Sequence, residues 1–175
     1  MAKAYTMKPL RYLIPVAIVT ALAIACKKDN NSTTDLRIRL TDNPYNATEV
    51  NVDIKQVRVN LQDDSTGWVN LDTRAGVYNL LDYQNGIDTL IAQATVPTGR
   101  LKEVRFVLGT QNSIKISNTL YPLTIPSGSE SGLKIKLNKQ LNAHLDSLVI
   151  DFDAALSIVQ EGTGNYKLKP VLKIK

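Results

Sequence analysis

From Asp35 onward apolar and polar residues alternate with a period of two, which restricts the chain to strands with one buried and one wetted face. Leu36, Ile38 and Leu40 alternate with Arg37 and Arg39, and Thr41-Asp42-Asn43-Pro44 then breaks the run with turn formers. Val50, Val52 and Ile54 continue the pattern on even positions, and Val57, Val59 and Leu61 resume it on odd ones. One extra residue in a strand reverses every later side chain, so this change of parity predicts a bulge.

The turn Asp63-Asp64-Ser65-Thr66-Gly67 leads into Trp68-Val69-Asn70-Leu71, read as the partner strand of a hairpin. Between Val77 and Val96 the signals conflict. Ile87, Leu90, Ile91 and Ala94 have helical spacing while Thr89, Thr95 and Val96 favour strand, so at most one short helix or turn is expected. Pro97-Thr98-Gly99 closes that segment, and Val104, Phe106 and Leu108 alternate again. Ile114–Ile116 and Leu120–Ile125 flank a Ser117-Asn118 turn, with Pro122 predicting an edge or a bulge. After the loop 126–132 come strands at Leu133–Leu137 and Leu148–Phe152, and a last one over Tyr166–Ile174. Many short strands with regular turn signals predict an all-β fold, a single antiparallel β-sandwich of immunoglobulin-like or transthyretin-like kind, over residues 35–175.

The first 34 residues follow other rules. Lys3, Lys8 and Arg11 precede the apolar run Leu13–Ala25, which ends in Ala23-Ile24-Ala25-Cys26. A charged start, a short apolar core and small residues before a cleavage point read as a secretory signal peptide over 1–25, cut between Ala25 and Cys26. That core is shorter than the roughly 17–25 apolar residues of a spanning helix. The segment resembles the lipobox of bacterial lipoproteins, which implies lipidation at Cys26, the single cysteine of the chain. Each buried methylene contributes about 0.8 kcal/mol, so two or three acyl chains give a stable anchor. Residues 26–34 are polar and read as a lipidated tether. The lysines followed by Asp29 also resemble the surface-export tags of Bacteroidetes lipoproteins. The expected location is the cell envelope, lipid-anchored at the outer membrane and facing either the surface or the periplasm.

Without its leader the chain keeps 18 of its 21 Lys and Arg against 16 Asp and Glu, a net charge of about +2. No cluster of basic residues to grip phosphates is expected, which argues against nucleic acid. A lone cysteine leaves no disulfide framework. The mature 150 residues bury roughly 68–70% of their unfolded surface on folding, enough to need none.

Four groups of residues then stand out in order. They are Leu40-Thr41-Asp42-Asn43-Pro44; Tyr78-Asn79-Leu80-Leu81; Tyr121-Pro122-Leu123 with Ile125-Pro126-Ser127-Gly128; and Asp151-Phe152-Asp153 with Ser157-Ile158-Val159 and Leu168-Lys169-Pro170-Val171. Together they resemble the family numbered 4382 among domains of unknown function, found largely in bacterial lipoproteins. The resemblance implies a β-sandwich on the cell envelope with no established activity. Where members often read Gly-x-Tyr, this chain has Gly99-Arg100-Leu101 and lacks that hydroxyl.

Chemistry-bearing residues are few. Asp151 and Asp153, two apart, share a face of a strand while Ile150 and Phe152 take the other. They are candidate metal ligands or an acid–base pair. Calcium takes 6–8 oxygens, however, and the favoured structural reading is a pair that hydrogen-bonds neighbouring backbone or meets Lys167 and Lys169 on the terminal strand, contributing about 0.2–1 kcal/mol per cross-strand pair. Asp42 would join a cation site if its turn lay near Asp151, and otherwise caps its own turn. His144 lies in a polar connection and lacks both the elbow of a nucleophilic triad and partner ligands for a metal. The 127–132 loop runs into a strand, not into the helix that a phosphate loop requires. Trp68, Tyr45, Tyr83 and Tyr121 suggest either a sugar-stacking platform or core and rim residues. Asp64-Ser65-Thr66, Asp88-Thr89-Leu90 and Asp146-Ser147-Leu148 resemble O-glycosylation signals of exported Bacteroidetes proteins, with Ser65 the favoured acceptor and Thr89 and Ser147 falling near strands.

These readings point to a lipid-anchored, non-enzymatic module that binds an envelope protein or a glycan, with no catalytic set and no cofactor. The alternative is a structural or accessory subunit of an envelope complex acting through strand pairing. A hydrolase using Asp151 and Asp153 is the third and weakest reading.

Overall fold

The alternation folds into two packed sheets. The computed structural model describes residues 32–126 and 133–175 apart from 44, 63 and 65. The leader, Ala25, Cys26, the tether as far as Asn31, Ser65 and the 127–132 loop therefore lie outside the described residues. In chain order the strands begin with β1 (Thr33–Thr41), β2 (Glu49–Asn60), β3 (Trp68–Asn70), β4 (Asp72–Thr73), β5 (Gly76–Asn79), β6 (Thr89–Pro97) and β7 (Arg100–Leu108). They continue with β8 (Ser113–Ile116), β9 (Thr119–Thr124), β10 (Leu133–Gln140), β11 (His144–Phe152), β12 (Ile158–Gln160), β13 (Tyr166–Leu168) and β14 (Leu172–Ile174). The smaller sheet runs β14-β11-β1-β6-β4; the larger runs β10-β7-β2-β8-β9-β13-β12, with β3 and β5 also on β2. Pairing is antiparallel except between β1 and β11 and between β9 and β13, which are parallel.

The core lies between the sheets. Leu36, Ile38 and Leu40 from β1 meet Leu148, Ile150 and Phe152 from β11, and all of them are buried. Val50, Val52 and Ile54, then Val57 and Val59, face them from β2 with Val104 and Phe106 of β7. The predicted change of parity is a bulge: the register of β2 against β7 shifts between Ile54 and Gln56.

Both edges of β2 are covered by interrupted lines of chain. Along one, β7 pairs with residues 54–60 and β8 with 49–51. Along the other, β3 pairs with 58–60 and β5 with 51–54. Side chains fill the interruptions, as buried backbone groups require. Thr73 Oγ1 accepts from Val57 N at 2.9 Å, and Asn112 Oδ1 accepts from Asp53 N at 2.8 Å. Thr73 sits on β4, so the chain between β3 and β5 crosses to the smaller sheet, where β4 pairs with β6, and returns.

Several expectations are corrected. The first strand starts at Thr33, inside the segment read as tether; the Thr34 hydroxyl is buried, bonded to Thr98 Oγ1 and to Asn142 O. Between Val77 and Val96, however, the expectation of at most one short helix or turn holds: the strand signals prevail in β6, Thr89–Pro97, and the one helical turn of the segment is a 3-10 turn at Leu80–Tyr83. Pro122 is neither at an edge nor at a bulge. Its strand, β9, lies between β8 and β13, but β13 pairs only with Leu123 and Thr124, so the missing N–H interrupts no ladder on that side. The last strand is two: β13 joins the larger sheet and β14 the smaller, with Lys169-Pro170-Val171 crossing between them. Ser157 holds this crossing, its carbonyl accepting from Lys169 N and its hydroxyl from Val171 N. By contrast Ser117 and Asn118 adopt positive φ, as a two-residue hairpin turn requires. Leu101 of Gly99-Arg100-Leu101 is a buried core residue.

Asp53, also buried, was not singled out from sequence. Its carbonyl accepts from Gly109 N at 2.8 Å and its Oδ2 from Gln111 N at 3.2 Å, while Lys55 Nζ lies 3.0 Å from Oδ1. A Cβ on Gly109 would stand 2.0 Å from Asp53 Oδ2 and 2.3 Å from Lys55 Cε, so glycine is needed there for the loop to dock on β2. Gly109→Ala is expected to destabilise the fold by about 1–3 kcal/mol, as overpacked sites do. The corresponding fall of roughly 3–10 °C in Tm is measurable by thermal unfolding.

Candidate functional site

The sequence-predicted carboxylates do converge, at the ends of β1 and β11, and every oxygen but Asp151 Oδ1, which is buried without a hydrogen-bond partner, is occupied. Asp153 lies beyond β11 rather than on it. It is the N-cap of the helical turn α1 (Ala154–Ser157), and its Oδ1 accepts from Leu156 N at 3.0 Å. Its Oδ2 accepts from Lys173 Nζ at 2.7 Å, while Asp151 Oδ2 lies 3.3 Å from Lys175 Nζ. The expected partners Lys167 and Lys169 are not the ones used: Lys167 pairs with Glu161, and the lysines of β14 and the C-terminus take both aspartates. The reason is the break at Pro170, which sends the end of the chain to the neighbouring sheet, where Lys173 is in register with Asp151.

Asp42 does lie close to Asp151, yet it does not cap its own turn. It is buried, and its Oδ1 accepts from Ala154 N at 2.9 Å, while Gln84 Nε2 donates to its Oδ2 at 3.3 Å. Asn43 Nδ2 donates to Asp151 Oδ2 at 2.8 Å and reaches Asp153 Oδ2 at 3.5 Å. Burial pushes the Asp42 carboxyl above the usual aspartate range, and the Asp151 charge adds to that. Burial also pushes Asp153 up, but the Lys173 ammonium, the Leu156 N–H and the Asn43 amide together hold it below that range. Among the described residues no three His, Cys, Asp or Glu side chains are placed to hold a metal ion. Two ammonium groups and two amides meet these carboxylates, in an arrangement that ties β1, β11, α1 and β14 together.

A second constellation emerges only from strand register. On the face of the larger sheet turned away from the core, Asn60 lies opposite Trp68 of β3 and Glu103 of β7, and Glu103 lies opposite Lys136 of β10. The adjacent row runs Asn70, Arg58, Arg105, Lys134 across the same four strands. Arg105 Cζ lies 4.1 Å and Arg58 Cζ 5.6 Å from the Trp68 ring centroid, within cation–π range. Trp68 and Arg105, with Lys102, Lys134, Lys136 and Glu103, line an open cleft of about 480 Å³. The basic residues lie far apart in the sequence, yet β2, β7 and β10 bring them together beside Trp68, with Glu103 and Asp64 also on the cleft.

The aromatic residues do not form one platform. Trp68 stands on the cleft, Tyr121 packs on Tyr166 with ring centroids 5.1 Å apart, and Tyr83 packs on Tyr78 at 6.3 Å. Tyr45 is half-buried against the core. His144 is exposed with positive φ at the start of β11. Ser147 is exposed on β11 and Thr89 is half-buried.

The carboxylate cluster predicts a signed pH dependence. A carboxyl held below its unfolded pKa contributes stability that is present above the unfolded value and lost as pH falls through the folded one. Asp153 is such a group, so unfolding temperature is expected to fall as pH drops below about 4, the ordinary aspartate value. Asp42, shifted upward, works in the opposite sense over a higher window, losing its contribution as pH rises through its folded pKa. Asp153→Asn is expected to lower Tm at neutral pH and to flatten the acid limb; calorimetry across pH 2–7 would detect either change.

Among known proteins, no curated sequence and no solved structure matches this chain. A family model does, over residues 33–170, which takes in the cationic cleft and all three clustered aspartates but stops short of Lys173 and Lys175. The chain belongs to that family, the domain of unknown function DUF4382.

Proposed function

We propose that this protein is a lipid-anchored, non-enzymatic binding module of the cell envelope, and that the cleft beside Trp68 is where it holds its ligand. The observation that carries the reading is the exposed side of β3, β2, β7 and β10, where an indole, Arg105 and three lysines line an open cleft and Arg58 packs on the same indole. Binding sites combine an aromatic body with a few charged groups on a rigid scaffold, and a four-stranded sheet supplies such a scaffold. The carboxylates that a hydrolase would use are held in ion pairs and capping bonds. That favours binding over cleavage.

The anchor rests on Cys26 and the apolar leader before it. No helix among the described residues is long and apolar enough to cross a membrane. Strand addition to a partner is the weaker alternative. Among the described residues the sheet edges are the three-residue β3, β12 and β14, the four-residue β5, the two-residue β4, and β10 with Lys134, Lys136 and Lys139 along it. Short strands and lysines are the ordinary means of blunting an edge.

Two measurements test the reading. Wild-type protein is expected in the detergent phase on partition, with Cys26→Ala in the aqueous phase or retained as precursor; identical behaviour of the two would remove the anchor. The full chain in detergent should retain a ligand from a glycan array or envelope extract, unchanged in mass, and Trp68→Ala should lower that retention at least tenfold. Retention indifferent to Trp68→Ala would take the cleft out of the account, and a cleaved ligand would replace binding by hydrolysis.

A further inference from the structure

The row Arg58, Arg105, Lys134 is costly as it stands. These three residues lie directly opposite one another on neighbouring strands β2, β7 and β10. Like charges in that relation are destabilising, and a sheet free of other demands would alternate sign. The Nε atoms of Arg58 and Arg105 are buried, and neither has a hydrogen-bond partner. Both guanidinium groups are instead held by the Trp68 ring. A row of this kind gains from a bound anion, which would relieve the repulsion between the charges.

We infer that this row binds an anionic polysaccharide that carries a charge on each sugar. The inference rests on the binding reading above and names the ligand class. Strand spacing sets the three cationic residues about 4.8 Å apart, near the length of one pyranose unit. A polyuronate laid across the strands would then present one carboxylate to each. Arg58 and Arg105 are the contact residues, and Trp68 is a positioning residue that keeps their planes in place. Nucleic acid fits less well, because the indole that would stack on a base is already engaged by two guanidiniums and the mature chain carries little net charge.

The test uses the full chain in detergent and four immobilised probes: polygalacturonate, charged at every sugar; hyaluronan, charged at every second; neutral dextran; and single-stranded DNA. Polygalacturonate should bind most tightly and hyaluronan at least tenfold more weakly, with dextran not at all and added salt weakening the complex. Arg105→Gln and Lys134→Gln should each reduce polygalacturonate binding tenfold or more while leaving Tm unchanged or raised, since each relieves repulsion. Lys115→Gln, an equal loss of charge at a lysine paired with Glu49, should leave binding intact. A lowered Tm with unaltered binding would make the row structural and overturn the inference; so would DNA or dextran binding better than polygalacturonate. If polygalacturonate is not held but another ligand is retained through Trp68, the ligand class fails and the binding reading stands. If nothing is retained through Trp68, both fall.

Discussion

The structure depends on β2 being paired along both edges although no single strand is long enough to cover either one. Twelve residues of β2 meet β7 and β8 on one side and β3 and β5 on the other. A buried N–H without a partner costs roughly 1–3 kcal/mol, so each interruption needs its own acceptor. Thr73 and Asn112 provide them. The bulge at Ile54–Gln56 lies between the two repairs, and it lets both halves of β2 direct valine and isoleucine to one core. The same bulge fixes which β2 residues face outward beyond it, and so places Arg58 and Asn60 on the cationic face.

The carboxylate cluster does for the smaller sheet what these caps do for the larger. Asp42 leaves the end of β1 and bonds the first N–H of α1, while Asp153 caps that same turn and takes Lys173. Ends of strands distant in sequence are thereby fixed to one another. A charge at Asp42 is tolerated through the Ala154 N–H and the Gln84 amide; these offset part of its desolvation, as hydrogen bonds to a buried carboxylate do.

Where the information was local, the sequence could be read. Period-two alternation located most of the strands, the parity change located the bulge, and Ser117-Asn118 located a hairpin. Reading failed where two distant segments decide the outcome together. Lys167 and Lys173 differ by six positions and are chemically alike, and only the crossing at Pro170 selects the second as a partner of Asp153. The cationic row was invisible for the same reason, since Arg58, Arg105 and Lys134 become neighbours only through register. Asp42 looked like a turn cap because nothing nearby announces that Ala154 N, 112 positions away, needs an acceptor. A Trp68 alone between turn and strand carried too little signal to mark a cleft.

The parallel pairing of β1 with β11 has a kinetic consequence. Each residue of β1 lies opposite one 110 positions later, so one edge of the first strand waits for nearly the whole chain before it can close. Contacts so distant in sequence are formed slowly, because loop closure precedes any gain from them, and sheets dominated by such contacts fold in milliseconds to seconds. A chain emerging from its N-terminus can pair β1 with β6, but the other edge of Thr34–Thr41 stays open until the last third has been made. The smaller sheet is thus completed from its C-terminal side, and its closure is among the last events of folding.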